Sequence, residues 1–342
     1  MNIIKELFSE EYVINLFKKK VLPLYSDFFG IKKVKIVFHK KYVWESTYHV
    51  VVEFVTTFQT KDKKNKILSI FCSAHSDEPR KNVYDALKYL WDNGFGKGFL
   101  TIPHPLFYSK KYNAIFYRGV NGRNLYQYIR KKDYENIEAI VPKAANWFAK
   151  LHNLPTVNAK NFNPLNSRIK TVIPGFKHIL ERIKEDHPKY LEIFEEFYRN
   201  FIEKEDRFFK YSKTLWFVHG DAHPENVIKM GQKKIGVIDF TDLCLSDFTR
   251  DIGTFLQQLE FMIMRKIDDQ KYAEKMKKIF LDNYLANTTI NIDDEEFRRI
   301  DNYYNWTAIR TATFFLLKHN AEPERAYPII KRICEKLNIK YL

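Results

Sequence analysis

The chain has 342 residues, 45% hydrophobic and 29% charged, enough for about two domains with cores of their own and incompatible with wholesale disorder. Eleven Gly and 12 Pro exclude collagen-like and linker-rich chains; three scattered cysteines, Cys72, Cys244 and Cys334, exclude a disulfide framework or cysteine zinc site and suit a reducing compartment. Lys and Arg number 57 against 42 acidic residues, a balance of +15 that either solubilises the surface or attracts anions such as nucleotide phosphates, nucleic acid or acidic lipid.

No apolar run nears the roughly 18 residues needed to span a bilayer. Residues 1–17 carry charge in every turn and lack a cleavage site, so no signal peptide is expected and the sequence reads as soluble and cytoplasmic. Residues 1–115 hold 19 basic and 11 acidic side chains, a net of +8 against +7 for the other 227 residues. The excess lies in short runs, Lys18–Lys20, Lys40–Lys41 and Lys61–Lys66, without the interleaved aromatics of a single-strand nucleic-acid binder.

In chain order, Val34–Phe38, Tyr48–Phe58 and Ile67–Cys72 are β-branched, aromatic and strand-like. The polar stretch 59–66 between the last two predicts an antiparallel hairpin. A helix should follow, capped by Ser76, with Asp77 and Glu78 at its positive end and Pro79 in its first turn. Val83, Leu87, Leu90 and Trp91 would form its apolar stripe and Gly94 its stop. The run Gly94–Gly98 therefore reads as a helix end and loop, since it lacks the strand-turn-helix context of a dinucleotide fingerprint. Two more strands are expected around Leu106–Tyr108 and Ala114–Tyr117.

After Gly122 the pattern turns helical. Candidate helices span 136–153, with Pro142 either opening or kinking the run, then 188–209, 252–264 and 296–318. Residues 160–212 read as a helical insertion. Residues 215–241 interrupt this pattern as loop, short strand, turn and strand.

That interruption carries the chemistry. It reads His219-Gly220-Asp221-Ala222-His223-Pro224-Glu225-Asn226, then Gly236-Val237-Ile238-Asp239-Phe240. Asn226 follows Asp221 by five positions and Asp239 follows Asn226 by thirteen. An amide oxygen and a carboxylate suit magnesium, a hard ion that keeps waters and substrate phosphates in its shell. The remaining Asp221 can orient or deprotonate a hydroxyl. The order and spacing match the kinase pattern in which His-Arg-Asp is followed by Asn and then by Asp before Phe; here Gly220 replaces the Arg, and the last motif reads Asp239-Phe240-Thr241.

Through these motifs the chain resembles the aminoglycoside phosphotransferase and choline kinase family, whose fold is protein-kinase-like. Leu151-His152 at a helix end, Ser246-Asp247-Phe248-Thr249-Arg250-Asp251 and Val120-Asn121-Gly122-Arg123-Asn124-Leu125 add to the likeness, which is strong over 113–253. The resemblance implies an α+β, two-lobed fold: a small antiparallel-sheet nucleotide-binding lobe over 1–116 and a large, mainly helical catalytic lobe over 117–342. It implies Asp221 as catalytic base, Asn226 and Asp239 as metal ligands for Mg2+, and the backbone at Tyr117 and Arg118 as the adenine contact. The donor would be ATP or GTP and the acceptor a hydroxyl on a small molecule such as an aminoglycoside, choline, a sugar or a hydroxyamino acid.

The sequence also departs from the family. The strand Ile67–Cys72 lacks the usual phosphate-binding Lys, and residues 39–47 lack the glycine-rich loop. Lys66, Arg80 and Lys81 are the nearby cations, with Lys81 the first choice, and Glu78 or Asp85 would stand for the helix Glu. His219 reads as packing beneath its loop, His223 is open between packing and chemistry, and Asp251 and Asp247 read as caps of the helix that follows. Tyr303, Tyr304, Trp306 and Arg310 fall on the helix 296–318, as core stripe or acceptor wall. The +15 balance weighs against a polycationic acceptor. Two other classes compete: a catalytically silent nucleotide-binding pseudokinase, and a basic nucleic-acid-associated protein.

Overall fold

The computed structural model describes residues 2–78 and 80–341, and it separates into two units, 1–122 with 236–241, and 123–235 with 242–342. Pro79 lies outside the described residues.

The first unit opens with helix α1 (Glu10–Lys20), whose first turn is acidic, whose last is Lys18–Lys20, and which Ser9 caps at the Tyr12 N–H. Strands β1 (Phe28–Val43), β2 (Tyr48–Thr60) and β3 (Asn65–His75) pair antiparallel in sequence order. Helix α2 (Lys81–Leu90) and the short β4 (Leu100–Thr101) precede β5 (His104–Ser109) and β6 (Ala114–Arg118), which complete a five-stranded sheet ordered β1-β2-β3-β6-β5. The period of two divides this sheet cleanly. Even-numbered residues from Tyr48 to Phe58 in β2 and from Leu68 to Ala74 in β3 are buried, and Phe17 of α1 packs edge-on to Phe54 and Phe116. Odd-numbered residues point to the other face.

The helix expected from Ser76 begins instead at Lys81, with Arg80 at its N-cap and no side-chain cap. Ser76 is used elsewhere: its N–H donates to the Tyr48 carbonyl and its hydroxyl accepts from the Tyr48 N–H, so it prolongs the β2–β3 pairing. Asp77 and Glu78 likewise precede the helix, and the His75 ring accepts from both their N–H groups. Gly94 sits at φ +104 in the turn that ends α2, a left-handed conformation cheap only for glycine.

The second unit is mostly helical. After β7 (Arg123–Asn124) come α3 (Leu125–Arg130), with an Asn124–Gln127 capping box, and α4 (Tyr134–His152), which runs through Pro142. Then follow α5 (Phe176–Asp186), α6 (Leu191–Tyr211), and the short strands β8 (Trp216–Val218) and β9 (Val227–Lys229). β10 (Ile235–Val237) lies, but for Ile235, in the first unit's segment 236–241, and β11 (Cys244–Ser246) of the second unit pairs antiparallel with β8. The helices α7 (Thr249–Lys266), α8 (Gln270–Asn287), α9 (Asp294–Leu317) and α10 (Pro323–Leu337) close the chain. At Gly253, where α7 crosses α9, a Cβ would lie 2.4 Å from the Ile300 carbonyl oxygen, so this packing requires glycine. Among the described residues, no helix is long and apolar enough to cross a membrane.

Candidate active site

The loop from His219 to Asn226 leaves β8 and is held from beneath by two consecutive residues of α7. The Asp251 carboxylate accepts the N–H of His219 at 2.6 Å and of Gly220 at 3.0 Å, while Arg250 donates to the Gly220 carbonyl at 3.2 Å. Gly220 has φ +82, and a Cβ there would lie 2.4 Å from the Asp242 carbonyl oxygen. That close approach leaves no room for the arginine the kinase pattern carries at this position. His219 is wholly buried beside Trp147 and Phe148, and its Nδ1 accepts the Asp221 N–H at 3.3 Å.

Asp251 is therefore not a helix cap. α7 begins two residues earlier, at Thr249, and Asp247 takes the capping part by accepting the Thr249 N–H at 3.1 Å. Asp251 is buried inside the first turn and also meets the His152 ring at 3.2 Å, with Tyr284 on the ring's other nitrogen at 2.7 Å. Burial pushes the Asp251 carboxyl up, but the bond from His152 and the His219 N–H outweigh it and hold it below the usual range. The only sequence signal for this role was the run Asp247–Asp251.

Asp221 presents a 45% exposed side chain to a cavity of about 350 Å3. The His223 Nδ1 accepts the Glu225 N–H at 3.2 Å, which leaves Nε2–H to donate to Asp221 Oδ2 at 3.2 Å. Burial pushes the Asp221 carboxyl up; the hydrogen bond from His223, with His223, His219 and Arg310 nearby, outweighs it and holds the group at about 2. Asn226 is buried and its amide nitrogen donates to the Asp221 carbonyl at 2.9 Å. Its amide oxygen is thereby left as an acceptor, the hard donor a divalent ion takes. Trp306 and Arg310 line this cavity, whereas Tyr303 is buried core bonded to Glu205 at 3.0 Å.

A second cavity, of about 400 Å3, lies within the first unit. Its wall is the odd-numbered face of the sheet: His49 and Val51 of β2, Phe71 and Ser73 of β3, Ile115 and Tyr117 of β6. Asp239 and Arg80 join it. Asp239 has φ +66, accepts from the Thr241 hydroxyl at 2.8 Å, and is exposed. Burial raises the Tyr117 phenol, and the Asp239 charge adds to the shift.

Period two explains the missing strand lysine: the β3 positions facing the cavity are Phe71 and Ser73. Lys81 is exposed, paired with Asp85, and outside the lining. Arg118 is also outside it, with its guanidinium 5.8 Å from the Tyr25 ring centroid. The cations that do line the cavity are Arg80 and Lys40, and Lys40 Nζ lies 3.4 Å from His49 Nε2. Arg80 is buried and its Nε has no hydrogen-bond partner. Where a glycine-rich loop would sit, the tight turn after β1 is closed by Trp44 N–H on the Thr47 carbonyl at 2.9 Å. The Asn2 amide donates to the Trp44 and Thr47 carbonyls, both at 3.1 Å.

No cluster of three His, Cys, Asp or Glu side chains suited to a metal exists among the described residues. That fits a cation which draws most of its shell from phosphate and water.

Comparison with known proteins defines the class. The model of the phosphotransferase enzyme family matches residues 51–284, more than half of the chain and wider on both sides than 113–253. The chain belongs to that family. Spectinomycin phosphotransferase APH(9)-Ia, solved with ADP and spectinomycin, is 14% identical with a TM-score of 0.52, covering 96% of this chain and 94% of its own. Amicoumacin kinase, solved with AMP-PNP, Ca2+ and its substrate, is 14% identical with a TM-score of 0.54, covering 89% and 88%. Ethanolamine kinase from Plasmodium vivax is 13% identical with a TM-score of 0.50, covering 87% and 81%. The fold is kinase-like, with an antiparallel-sheet unit and a mainly helical one. No curated protein sequence matches the chain.

Proposed function

We propose that the protein is an ATP-dependent small-molecule kinase that transfers the terminal phosphate of the nucleotide to a hydroxyl group. The observation that carries this reading is Asp221: a carboxylate held ionised by His223, exposed to a cavity, on a loop whose backbone is fixed from α7. In this reading the Asp221 carboxylate takes the proton of the acceptor hydroxyl as its oxygen bonds to the terminal phosphorus, and the bond from that phosphorus to the leaving diphosphate breaks. His223 orients Asp221 through its Nε2–H. Asn226 and Asp239 supply oxygens to Mg2+, which when bound neutralises the phosphate charge.

The cavity containing Tyr117 takes the nucleotide, its base beside the backbone of Tyr117 and Arg118. Arg80, with its unpartnered Nε, and Lys40 take the place of the strand lysine on the phosphates. The nucleotides bound to the solved relatives, ADP and AMP-PNP, support a nucleotide donor. Survival of Asp221, Asn226 and Asp239 together favours activity over a pseudokinase.

The test is Asp221→Asn. Turnover, followed as ADP release and as the mass gain of the acceptor, should fall about 10²–10⁴-fold, while Mg–ADP affinity stays within twofold. Equal turnover in variant and parent refutes the assignment.

A further inference from the structure

The cavity at Asp221 has an unexpected charge for a pocket that would receive a polycation. Arg310 of α9 and Arg265 of α7 line it against Asp221 and Asp242. The Arg310 guanidinium stacks over Trp306, 5.0 Å from the ring centroid. Among the described residues it forms no ion pair and no hydrogen bond to a carboxylate, although it is half-buried. The N–H edge of a guanidinium can receive a carboxylate in two parallel bonds.

A neighbouring cavity of about 400 Å3 shares Arg310 and Phe314 with the first and adds His178, Arg182 and Lys318, with no carboxylate in its lining. Arg182 and Lys318 are already paired, with Asp186 and Glu322. Arg310 is the shared wall of the two cavities and has no such counter-ion. Val172, Ile173, Phe261 and Phe315 give the first cavity apolar walls, and Asn166, Thr254, Gln258, Thr307 and Thr311 give it polar ones.

We propose that the acceptor is an alcohol that also carries a carboxylate, the carboxylate bound by Arg310 while the hydroxyl is presented to Asp221. This substrate class rests on the reading of Asp221 as the base. The half-buried guanidinium of Arg310 can take one carboxylate, whereas an ammonium entering the same cavity would meet Arg310 and Arg265 with two carboxylates, one of them engaged in the reaction.

The experiment uses the full chain, Mg–ATP and three acceptors of one skeleton: 4-(hydroxymethyl)benzoate, its neutral amide, and 4-(hydroxymethyl)benzylamine. The benzoate should be phosphorylated with kcat/KM at least tenfold above the amide, and the amine should be the poorest. Arg310→Gln should bring the benzoate-to-amide ratio to within threefold of one through KM, and Arg310→Lys should restore part of it. Melting curves of both variants identify a folding defect, and the lysine variant keeps the test open if the glutamine one fails to fold. Preference for the amine overturns the proposal. So does an unchanged ratio with a uniform fall in kcat, which would confine Arg310 to Asp221, or a rise in KM for ATP alone.

Calorimetry without nucleotide separates this proposal from the kinase reading. Benzoate binding that exceeds amine binding and is lost in Arg310→Gln supports the charge assignment even where no acceptor is phosphorylated, a result that would count against Asp221 as the base. Tighter binding of the amine overturns it.

Discussion

In the loop His219–Asn226 one backbone segment is gripped by neighbours close in sequence to each other: Asp251 takes two N–H groups, Arg250 the Gly220 carbonyl that follows them, His219 and Asn226 the ends of Asp221. Around Asp239 the wall is gathered from positions 40 to 241, mostly one or two side chains at a time from several strands and α2. The first arrangement is a contiguous motif with a buried carboxylate beneath it. The second is a consequence of strand register. A motif of the first kind tolerates few changes because its bonds are cooperative, whereas a register-built wall can exchange one cation for another at a different address.

The largest expected effect therefore lies beneath the loop. Asp251→Asn presents an amide N–H2 to a site that already holds three donors, from His219, Gly220 and His152. Removing one partner of such a buried set should cost about 3–5 kcal/mol in denaturant unfolding and reduce turnover with it. A variant of parental stability would show that the loop is not held this way.

Acid should separate the two regions next. Burial and the Arg118 charge push the His104 imidazole of β5 down to about 4, from an ordinary value of 6.5. Its neutral form is the folded one, so its contribution is complete above pH 6.5 and is lost as pH falls toward 4, up to about 3 kcal/mol. Asp251 has the same sign but a lower window: its folded carboxyl sits below the usual range, so its contribution is complete above the ordinary carboxylate value and disappears only at more acid pH. Trp91 stacks on His104 at 4.0 Å and reports the first unit. Its fluorescence should show unfolding in urea advancing between pH 6.5 and 4, and His104→Gln should flatten that slope. A parental slope in the variant assigns the acid sensitivity elsewhere.

At the nucleotide cavity the expected effect is smaller. Arg80→Gln should weaken Mg–ATP binding about tenfold, or about 1.4 kcal/mol, with Asp221-dependent turnover persisting at saturating nucleotide. Titration calorimetry measures the first and ADP release the second. Unchanged affinity would place the phosphate charge on Lys40 or elsewhere.

The same contrast decides what could be read from the sequence. The loop His219–Asn226 drew attention in the sequence because its residues are contiguous and match a known spacing: Asp221, Asn226 and Asp239 stand out without any neighbour. The sheet was legible because β2 and β3 are rich in β-branched and aromatic residues, and its alternation shows only in burial. Asp251 looked like a cap because nothing in a linear string distinguishes a carboxylate that faces its own helix end from one that reaches a loop thirty residues upstream. Ser76 misled for a related reason, since a capping serine and one extending a hairpin share the same local composition, and the β2 partner Tyr48 decides between them. Arg80 and Lys81 are adjacent, and only the rotation at the start of α2 sends one toward the cavity and the other to solvent. Helices α8 and α10 went unread although both carry apolar residues at helical spacing, Ala273, Met276, Phe280 and Tyr284 in the first and Ala326, Ile330, Ile333 and Cys334 in the second.

That adjacency supplies the weakest but most discriminating prediction. Lys81 was the sequence's first candidate for the phosphate cation. Its ammonium pairs with Asp85 one turn on, and half its side chain is in solvent. An exposed pair of this kind contributes about 0.3–0.5 kcal/mol, so Lys81→Ala should leave Mg–ATP affinity within twofold and stability within that margin. Arg80→Gln and Lys81→Ala remove one positive charge each, at consecutive positions, so a long-range field effect would weaken nucleotide binding in both. Only a side chain inside the cavity gives a tenfold loss in the first and none in the second. Should Lys81→Ala instead lose nucleotide affinity while Arg80→Gln keeps it, the register argument for this cavity fails and the linear reading of the sequence is restored.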